Sequence, residues 1–474
     1  MKKLITNRKD CKVYISSFHK EVTGSRFFVT VKLPDKGRIH FFVDFGTFQE
    51  KDYIHRNLEP SPCKMEKFHF GLGTHAHEDH IGGWGQAVKE GFKGKFYVTY
   101  GTKIIMEPFT KDSHRIEKKD KELKNRYSDT DLRLAISMTH CVEYRKTFQP
   151  HPNIKVTFFE NGHMIGAAII LVQISTGTDK DINLLFTGDY KGKDIILDTP
   201  ELPQWVKELP VYVISESTYG NTVSRPKKIF INTIKKAVKE NKNILIPTLA
   251  TRSLLILFIV VQLKKYGIIS ENYMIGYDGN LLQEFIRICK EEPVHIKPKV
   301  LDFLWYDLDK YAIKLNKQNR KEFFANNFYN KIIIASSGMG SFGPSNWYIS
   351  EMIDSTENLI LFTCYCAEGT FGRKLKDTPK GNYIAVGDTV RLVNADVEFT
   401  SEFSSHANAQ ELQEFLQSLN VNAIFINHGQ LEVQYAFKNR LKEAIPSTQI
   451  EVLNPDFYYE LDCNGNVNIY EQSH

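Results

Sequence analysis

Apolar and polar residues alternate in short blocks along the first part of this chain. "VYISSF" (Val13–Phe18), "RFFVTVKL" (Arg26–Leu33) and "IHFFVDFG" (Ile39–Gly46) are β-rich runs divided by turn residues, and they predict strands joined by hairpins. "FHFGLGTHAHEDH" (Phe68–His80) reads as a buried strand ending in a polar loop. From about Asp112 to Tyr144 the pattern is charged and helical, with "RIEKKDKELKNRY" as solvated surface. Strands return in "IKVTFFENGH", "AAIILVQIST" and "INLLFTGDY", and "VYVISESTYGN" again sets a carboxylate at the end of an apolar run. Beyond about Asn221 the texture changes. "KKIFINTIKKAVKENKNILIPTLA" predicts a helix followed by a strand, while "KIIIASSGMGSFGPS" and "ENLILFTCYCAEGTFGR" read as strands running into loops. This alternation predicts a parallel, Rossmann-like layer. "EFSSHANAQELQEFLQSL" and "VNAIFINHGQ" close the pattern with a helix and one more strand ending in histidine.

Length and composition narrow the picture only a little. At 474 residues the chain exceeds the usual single core, so two domains are expected. No Pro-rich tether or repeat divides them, so the second should be a compact insertion. A net charge of +5 permits an acidic partner without demanding one. The seven cysteines are odd in number and scattered. The C-x-C at Cys364 and Cys366 lacks a second pair to close a structural zinc site, which suggests reduced thiols in the cytoplasm. The start "MKKLITNRKDCKVYISS" is charged but carries no apolar signal core, and no run is long enough to span a membrane.

The candidate chemistry is concentrated in "THAHEDHIGG". His75, His77, Asp79 and His80 form H-x-H-x-D-H, and a structural turn does not need so many metal-capable side chains. Alternate residues of an extended turn point the same way, so His75 and His77 can share one ion, with Asp79 and His80 turned toward another. Gly82 and Gly83 let the following helix start close by. Four ligands cannot saturate two ions. His163, Asp189 and His428 each sit beside glycine where a strand ends, and a carboxylate can bridge two ions, so Asp189 is the natural shared ligand. Two such cations can hold a hydroxide nucleophile and neutralise the attacked oxyanion. Asp44, ending "FFVD", reads as an acceptor behind a ligand histidine or as simple turn chemistry.

Together with "GHMIGAA", "TGDY" and "ESTYGN", these residues resemble the metallo-β-lactamase superfamily, and within it the β-CASP nucleases of the RNA-processing branch. "EVTGS", "VDFG", "IPTLATRS", "SGMGSFGPS" and "EGTFGRKL" resemble the same group. The resemblance implies an α/β fold: a metallo-β-lactamase αββα sandwich over 1–220 and 399–474, with a Rossmann-like β-CASP domain inserted at 221–398. It implies two zinc ions, with manganese as the alternative. His75, His77 and His163 would hold one, Asp79, His80 and His428 the other, and Asp189 would bridge. Asp79, Asp189, Glu216 and His406 are the implied catalytic residues, with His406 as general acid and Glu216 orienting it or acting as base. A histidine at the position of His428 points to RNA over DNA.

The implied activity is two-metal hydrolysis of single-stranded RNA, internally or from the 5′ end, with a homodimer compatible and no membrane involved. The strand would thread beneath the inserted domain, with Arg252, Gly338, Ser345 and Arg373 meeting phosphates. A DNA nuclease of this fold, a small-molecule hydrolase and a non-catalytic scaffold are the competing readings. The chain departs from the family pattern at Asn408, where aspartate is usual, at Gln430, where glutamate is frequent, and at Thr251, where glycine is usual.

Overall fold

The computed structural model describes residues 11–34, 37–120, 122–223, 228–293, 295–364, 366, 369–387 and 389–472. The charged N-terminal stretch up to Asp10 and Glu368 of "EGTFGR" lie outside the described residues. The chain divides into two compact units: Met1–Asp194 with Thr199–Ser224 and Ser405–His474, and Arg225–Ser404 with Ile195–Asp198. No shift in composition marks Ile195–Asp198. Backbone bonds draw it to the second unit, Asp198 N–H donating to His295 O at 2.8 Å and Lys297 N–H to Ile196 O at 2.9 Å.

Among the described residues, the first unit holds an eight-stranded and a seven-stranded sheet. The runs read as strands form them: Lys12–Ser17, Arg26–Lys32, Arg38–Phe45 and Phe70–Leu72 in the first sheet. Ile154–Glu160, Ala168–Ile174, Ile182–Phe186, Val211–Ser215 and Val421–Ile426 lie in the second. Their inward-facing residues, among them Val29, Phe41, Leu72, Phe158, Val172, Leu184 and Phe425, make one buried core. Helices cover the outer faces. Trp84 stacks on Phe96 outside the first sheet, with ring centroids 4.2 Å apart. Leu412, Leu416, Phe437 and Leu441, from the helices Ala409–Gln417 and Leu431–Ala444, pack outside the second. This is the αββα sandwich expected from the sequence.

The helical reading of Asp112 to Tyr144 needs correction. Helices span Tyr100–Glu117 and Asp129–Ser137, but Thr139–Val142 is a strand paired in parallel with Lys95–Thr99. Four residues are too few to show a period against the helical texture before them.

The second unit is built on a six-stranded sheet in the order Ala312–Leu315, Tyr273–Asp278, Asn330–Ala335, Asn243–Pro247, Asn358–Phe362, Asp396–Phe399. Every pairing in it is parallel. Parallel strands need crossovers, here supplied by helices such as Ser253–Lys265 and Asn280–Glu291. The Rossmann-like expectation describes this layer.

Candidate metal centre

The proposed ligands all belong to the first unit, on segments that follow the ends of strands. The turn after Phe70–Leu72 carries His75 and His77, and the short helix Glu78–Ile81 carries Asp79 and His80. Gly46 allows this turn to sit close: a Cβ there would lie 1.7 Å from Asp79 O. Ser25 N–H donates to that same carbonyl at 2.8 Å, and Thr47 N–H to Glu78 O at 2.9 Å. Gly83 serves the helix that follows, since a Cβ there would lie 2.6 Å from Phe45 O.

Asp44 is placed by a β-bulge. Arg26 pairs with Phe45 and Phe27 with Val43, so Asp44 between them has no partner in the ladder. Its φ of +57° is a left-handed conformation that aspartate tolerates better than most residues. The bulge turns its carboxylate onto the metal turn. Oδ1 accepts Thr74 N–H at 2.7 Å, and Oδ2 accepts the Thr74 hydroxyl at 2.8 Å and His80 Nδ1 at 2.7 Å. That bond leaves His80 Nε2 to face the cluster. Of the two readings of Asp44, the acceptor behind a histidine fits this geometry.

Two sets of donors converge. In the first, His77 Nδ1 lies 3.1 Å from His75 Nε2 and 3.0 Å from His163 Nε2, and both Nε2 atoms lie 3.5 Å from Asp189 Oδ2. In the second, His80 Nε2 and His428 Nε2 are 3.3 Å apart, and they lie 3.2 and 3.3 Å from Asp189 Oδ1. Asp79 Oδ2 completes that set, 3.4 Å from His428 Nε2 and 3.9 Å from His80 Nε2. Asp189, 2% exposed, thus turns one oxygen to each set. These residues fit divalent cations. Ligand atoms at ~2.0–2.1 Å from a tetrahedral zinc are about 3.3 Å from one another. Asp189 Oδ1 is buried without a hydrogen bond, although two imidazole nitrogens adjoin it. An orphaned buried carboxylate oxygen calls for a cation.

Electrostatics follow burial and neighbours. Burial drives the His77 imidazole down to about 4 and holds His75 well below the ordinary histidine value. Both are therefore neutral at pH 7, as ligation requires. Burial also opposes charge on His428 and His80, but the carboxylates overcome it. Asp189 and Asp79 raise His428 to about 9, and Asp189 and Asp44 raise His80 well above its ordinary value. Asp189 is held well below the usual carboxylate range: burial resists this, and His428, His80, His406 and His163 outweigh it.

His406 and Glu216, 190 residues apart in sequence, meet beside these sets. His406 Nδ1 lies 2.8 Å from Glu216 Oε2, and its Nε2 is 3.8 Å from Asp189 Oδ2. Glu216 accepts the Tyr190 N–H on one oxygen and the Thr218 N–H, at 3.3 Å, on the other. Both oxygens of Glu216 are thus engaged. Asn408 caps the helix Ala409–Gln417 in a reciprocal box with Glu411, and Lys191 Nζ binds Glu411 at 2.9 Å. Asparagine caps as well as aspartate, so this departure from the family pattern keeps the helix start.

Sequence reasoning passed over several supports. Asn161 joins two ligand loops: Nδ2 donates to Thr187 O at 2.9 Å and Asp189 O at 2.6 Å, while Oδ1 accepts His163 N–H at 3.0 Å. Thr218 Oγ1 lies 3.0 Å from His428 Nδ1, and Ser405 O 3.2 Å from His163 Nδ1. Asn161 next to "GH" and Thr218 within "ESTYG" were the available signals.

In the second unit, Arg252 is half-buried just after the strand Asn243–Pro247, and Arg373 Nε binds Asp377 at 2.8 Å. Gly338 and Ser345, expected to meet phosphates, are buried. A Cβ on Gly338 would lie 2.8 Å from Leu249 N. The Ser345 hydroxyl donates to Ser337 O at 2.8 Å, and its N–H donates to Ser336 O at 2.8 Å. These contacts shape the loop.

Two donor sets sharing one carboxylate, at the strand ends of an αββα sandwich, define a centre of the metallo-hydrolase type. The Beta-Casp domain family matches residues 253–375, and the Zn-dependent metallo-hydrolase RNA specificity domain matches 392–455. The chain is 28% identical over 408 residues to the transcription termination factor FttA of Methanococcus maripaludis, covering 82% of this chain and 62% of that protein. It is 24% identical over 388 residues to the endoribonuclease ysh1 of Schizosaccharomyces pombe, covering 80% and 50%. With YSH1 of Candida glabrata the identity is 27% over 435 residues, covering 83% and 53%. By these matches the chain is similar to β-CASP proteins of the metallo-β-lactamase type, among them the endoribonucleases just named. It spans 50–62% of the length of these curated relatives.

Proposed function

We propose that this chain is a zinc-dependent ribonuclease that hydrolyses phosphodiester bonds of single-stranded RNA, with two ions held as the donor sets suggest. The observation that carries this reading is the division of Asp189 between two donor sets, with the His406–Glu216 pair 3.8 Å away. Bound divalent cations supply Lewis acidity toward phosphoryl oxygens and lower the pKa of water toward neutrality.

The chain's own residues do the rest. Glu216 faces His406 Nδ1, which orients the ring and leaves Nε2 toward the cluster. His406 Nε2 then holds the proton that the leaving oxygen needs. Asp44 orients His80 through Nδ1, and Thr218 and Ser405 do the same for His428 and His163. Arg252 and Arg373 are the assigned phosphate contacts in the second unit. The relatives named for endoribonuclease activity support RNA as the substrate class.

The test is digestion of matched 5′-labelled RNA and DNA oligonucleotides by the zinc-loaded chain, with RNA carrying a 5′-monophosphate, triphosphate or hydroxyl. We expect cleavage of single-stranded RNA, little cleavage of DNA, and loss of cleavage in Asp189→Ala. RNA hydrolysis undiminished in that variant refutes the site, and DNA cleaved in preference to RNA refutes the substrate class.

A further inference from the structure

The loop after the strand Asn330–Ala335 ends on a phenylalanine that the fold leaves outside. Phe342 is 77% exposed. Its backbone, in contrast, is tied down. The Phe342 carbonyl accepts the Ser345 hydroxyl at 3.2 Å and Ser337 N–H at 3.4 Å. Asn346 Nδ2 donates to Gly340 O at 2.9 Å, and Gly372 N–H donates to Met339 O at 2.8 Å. Gly340 and Gly343, with φ of +69° and +67°, make the turns on either side that other residues would strain to make. The helix Gly343–Met352 then begins immediately. A rigid loop therefore presents an apolar ring to solvent.

Its surroundings are specific. Leu249, 38% exposed, lies against the same loop, its Cγ 3.1 Å from where a Gly338 Cβ would stand. Arg252 follows Leu249 by one turn, and Arg373, Lys374 and Lys376 lie on the helix Phe371–Lys376. The loops bearing Leu249 and Phe342, and the segment leading to Arg373, all leave the C-terminal ends of three adjacent parallel strands. Open α/β sheets bind ligands at that edge. An exposed aromatic ring on a loop bonded to the start of a basic helix, through Phe371 N–H to Ser341 Oγ at 2.9 Å and Gly372 N–H to Met339 O at 2.8 Å, matches a single-stranded polynucleotide, whose base stacks on the ring while its phosphates meet basic side chains. A protein partner would be expected to bring carboxylates to those cations and an apolar cluster, not one ring, to the loop.

Resting on the ribonuclease reading above, we propose that Phe342 is a stacking platform for one base of the RNA strand and thereby sets substrate affinity. Stacking is sequence-tolerant, because every base offers a π-face, so the contact selects for an unpaired base, not for a particular one.

The test combines Phe342→Ala and Phe342→Tyr with a single-stranded RNA in which one base at a time is replaced by an abasic site, read as KM and kcat of the zinc-loaded chain. Phe342→Ala should raise KM roughly 5- to 150-fold, the range of base–aromatic stacking, with kcat within about twofold, and Phe342→Tyr should restore KM. One abasic position should reproduce that rise in the wild-type chain and add nothing in Phe342→Ala. A wild-type chain that cleaves RNA while Phe342→Ala keeps its KM overturns the assignment alone and turns the ring toward a protein partner. Abasic losses of equal size in both chains overturn it too. A wild-type chain that neither binds nor cleaves RNA overturns the ribonuclease reading and this assignment with it.

Discussion

Replacing Asp44 with asparagine should weaken one of the two proposed metal sites and spare the other. Asparagine is the informative substitution because it also tolerates the left-handed backbone at φ +57°, so the bulge survives. Its carbonyl can still accept Thr74 N–H, now 2.7 Å from Oδ1. Its amide group, however, would face His80 Nδ1 and the Thr74 hydroxyl, which now lie 2.7 and 2.8 Å from Oδ2. His80 Nδ1 must carry a proton if Nε2 is to coordinate, so two donors would confront each other. One charge-assisted bond is lost and one buried donor is stranded, about 1.5–3 kcal/mol in all. That corresponds to roughly 10- to 100-fold in affinity, the range typical for partners behind metal-bound histidines. The assay is competition for zinc against a chromophoric chelator, with metal content measured after dialysis and the melting temperature of the metal-free protein as a folding control. We expect zinc to be lost first from the set that His80 joins, because Asp44 bonds His80 directly and reaches His75 only through the Thr74 hydroxyl. Unchanged affinity at both sites, or equal loss from both in a protein that melts normally, would refute the reasoning.

Removing the proposed acid gives a complementary result. His406→Ala should retain two metals and lose about 10²–10⁴ in rate, and zinc content falling with the rate would make His406 a ligand instead. Glu216→Gln should cost less rate than His406→Ala, since an amide oxygen can still accept from His406 Nδ1 at the 2.8 Å contact and keep the ring oriented, and a loss as large as that of His406→Ala contradicts this orienting role. At the helix cap, Asn408→Ala should lower unfolding stability by about 1 kcal/mol while Asn408→Asp stays close to wild type in denaturant titration. The pH prediction concerns Glu460, far from the ligands in sequence and paired with Lys12 Nζ at 2.5 Å. Burial would raise its pKa, but Lys12, Tyr14 and Asn468 hold it below the ordinary value of 4.5. A depressed carboxylate stabilises the fold above its unfolded pKa and loses that contribution as pH falls through the folded value. The melting-temperature gap between wild type and Glu460→Gln should therefore narrow below about pH 4.5, and a gap that widens there contradicts the sign.

The sequence by itself determined many strands of the sandwich, through alternation in runs such as Lys12–Ser17 and through short apolar stretches such as Ile182–Phe186. It also determined the donor types, since H-x-H-x-D-H has no common structural use. It did not announce Lys95–Thr99, Thr139–Val142, Phe148–His151, Gln449–Val452, Phe457–Leu461 or Val467–Glu471, strands too short to show a period, nor the burial of Gly338 and Ser345. Only the tertiary structure decided which donors meet. It brought His163, Asp189 and His428 from separate strand ends to the His75–His80 turn, and it turned each oxygen of Asp189 to a different set. It also joined His406 to Glu216 across 190 residues, and it aimed Asp44 through a bulge. Composition and local pattern act over a few residues, whereas coordination depends on where loops from distant strands end, which only the packed sheets specify.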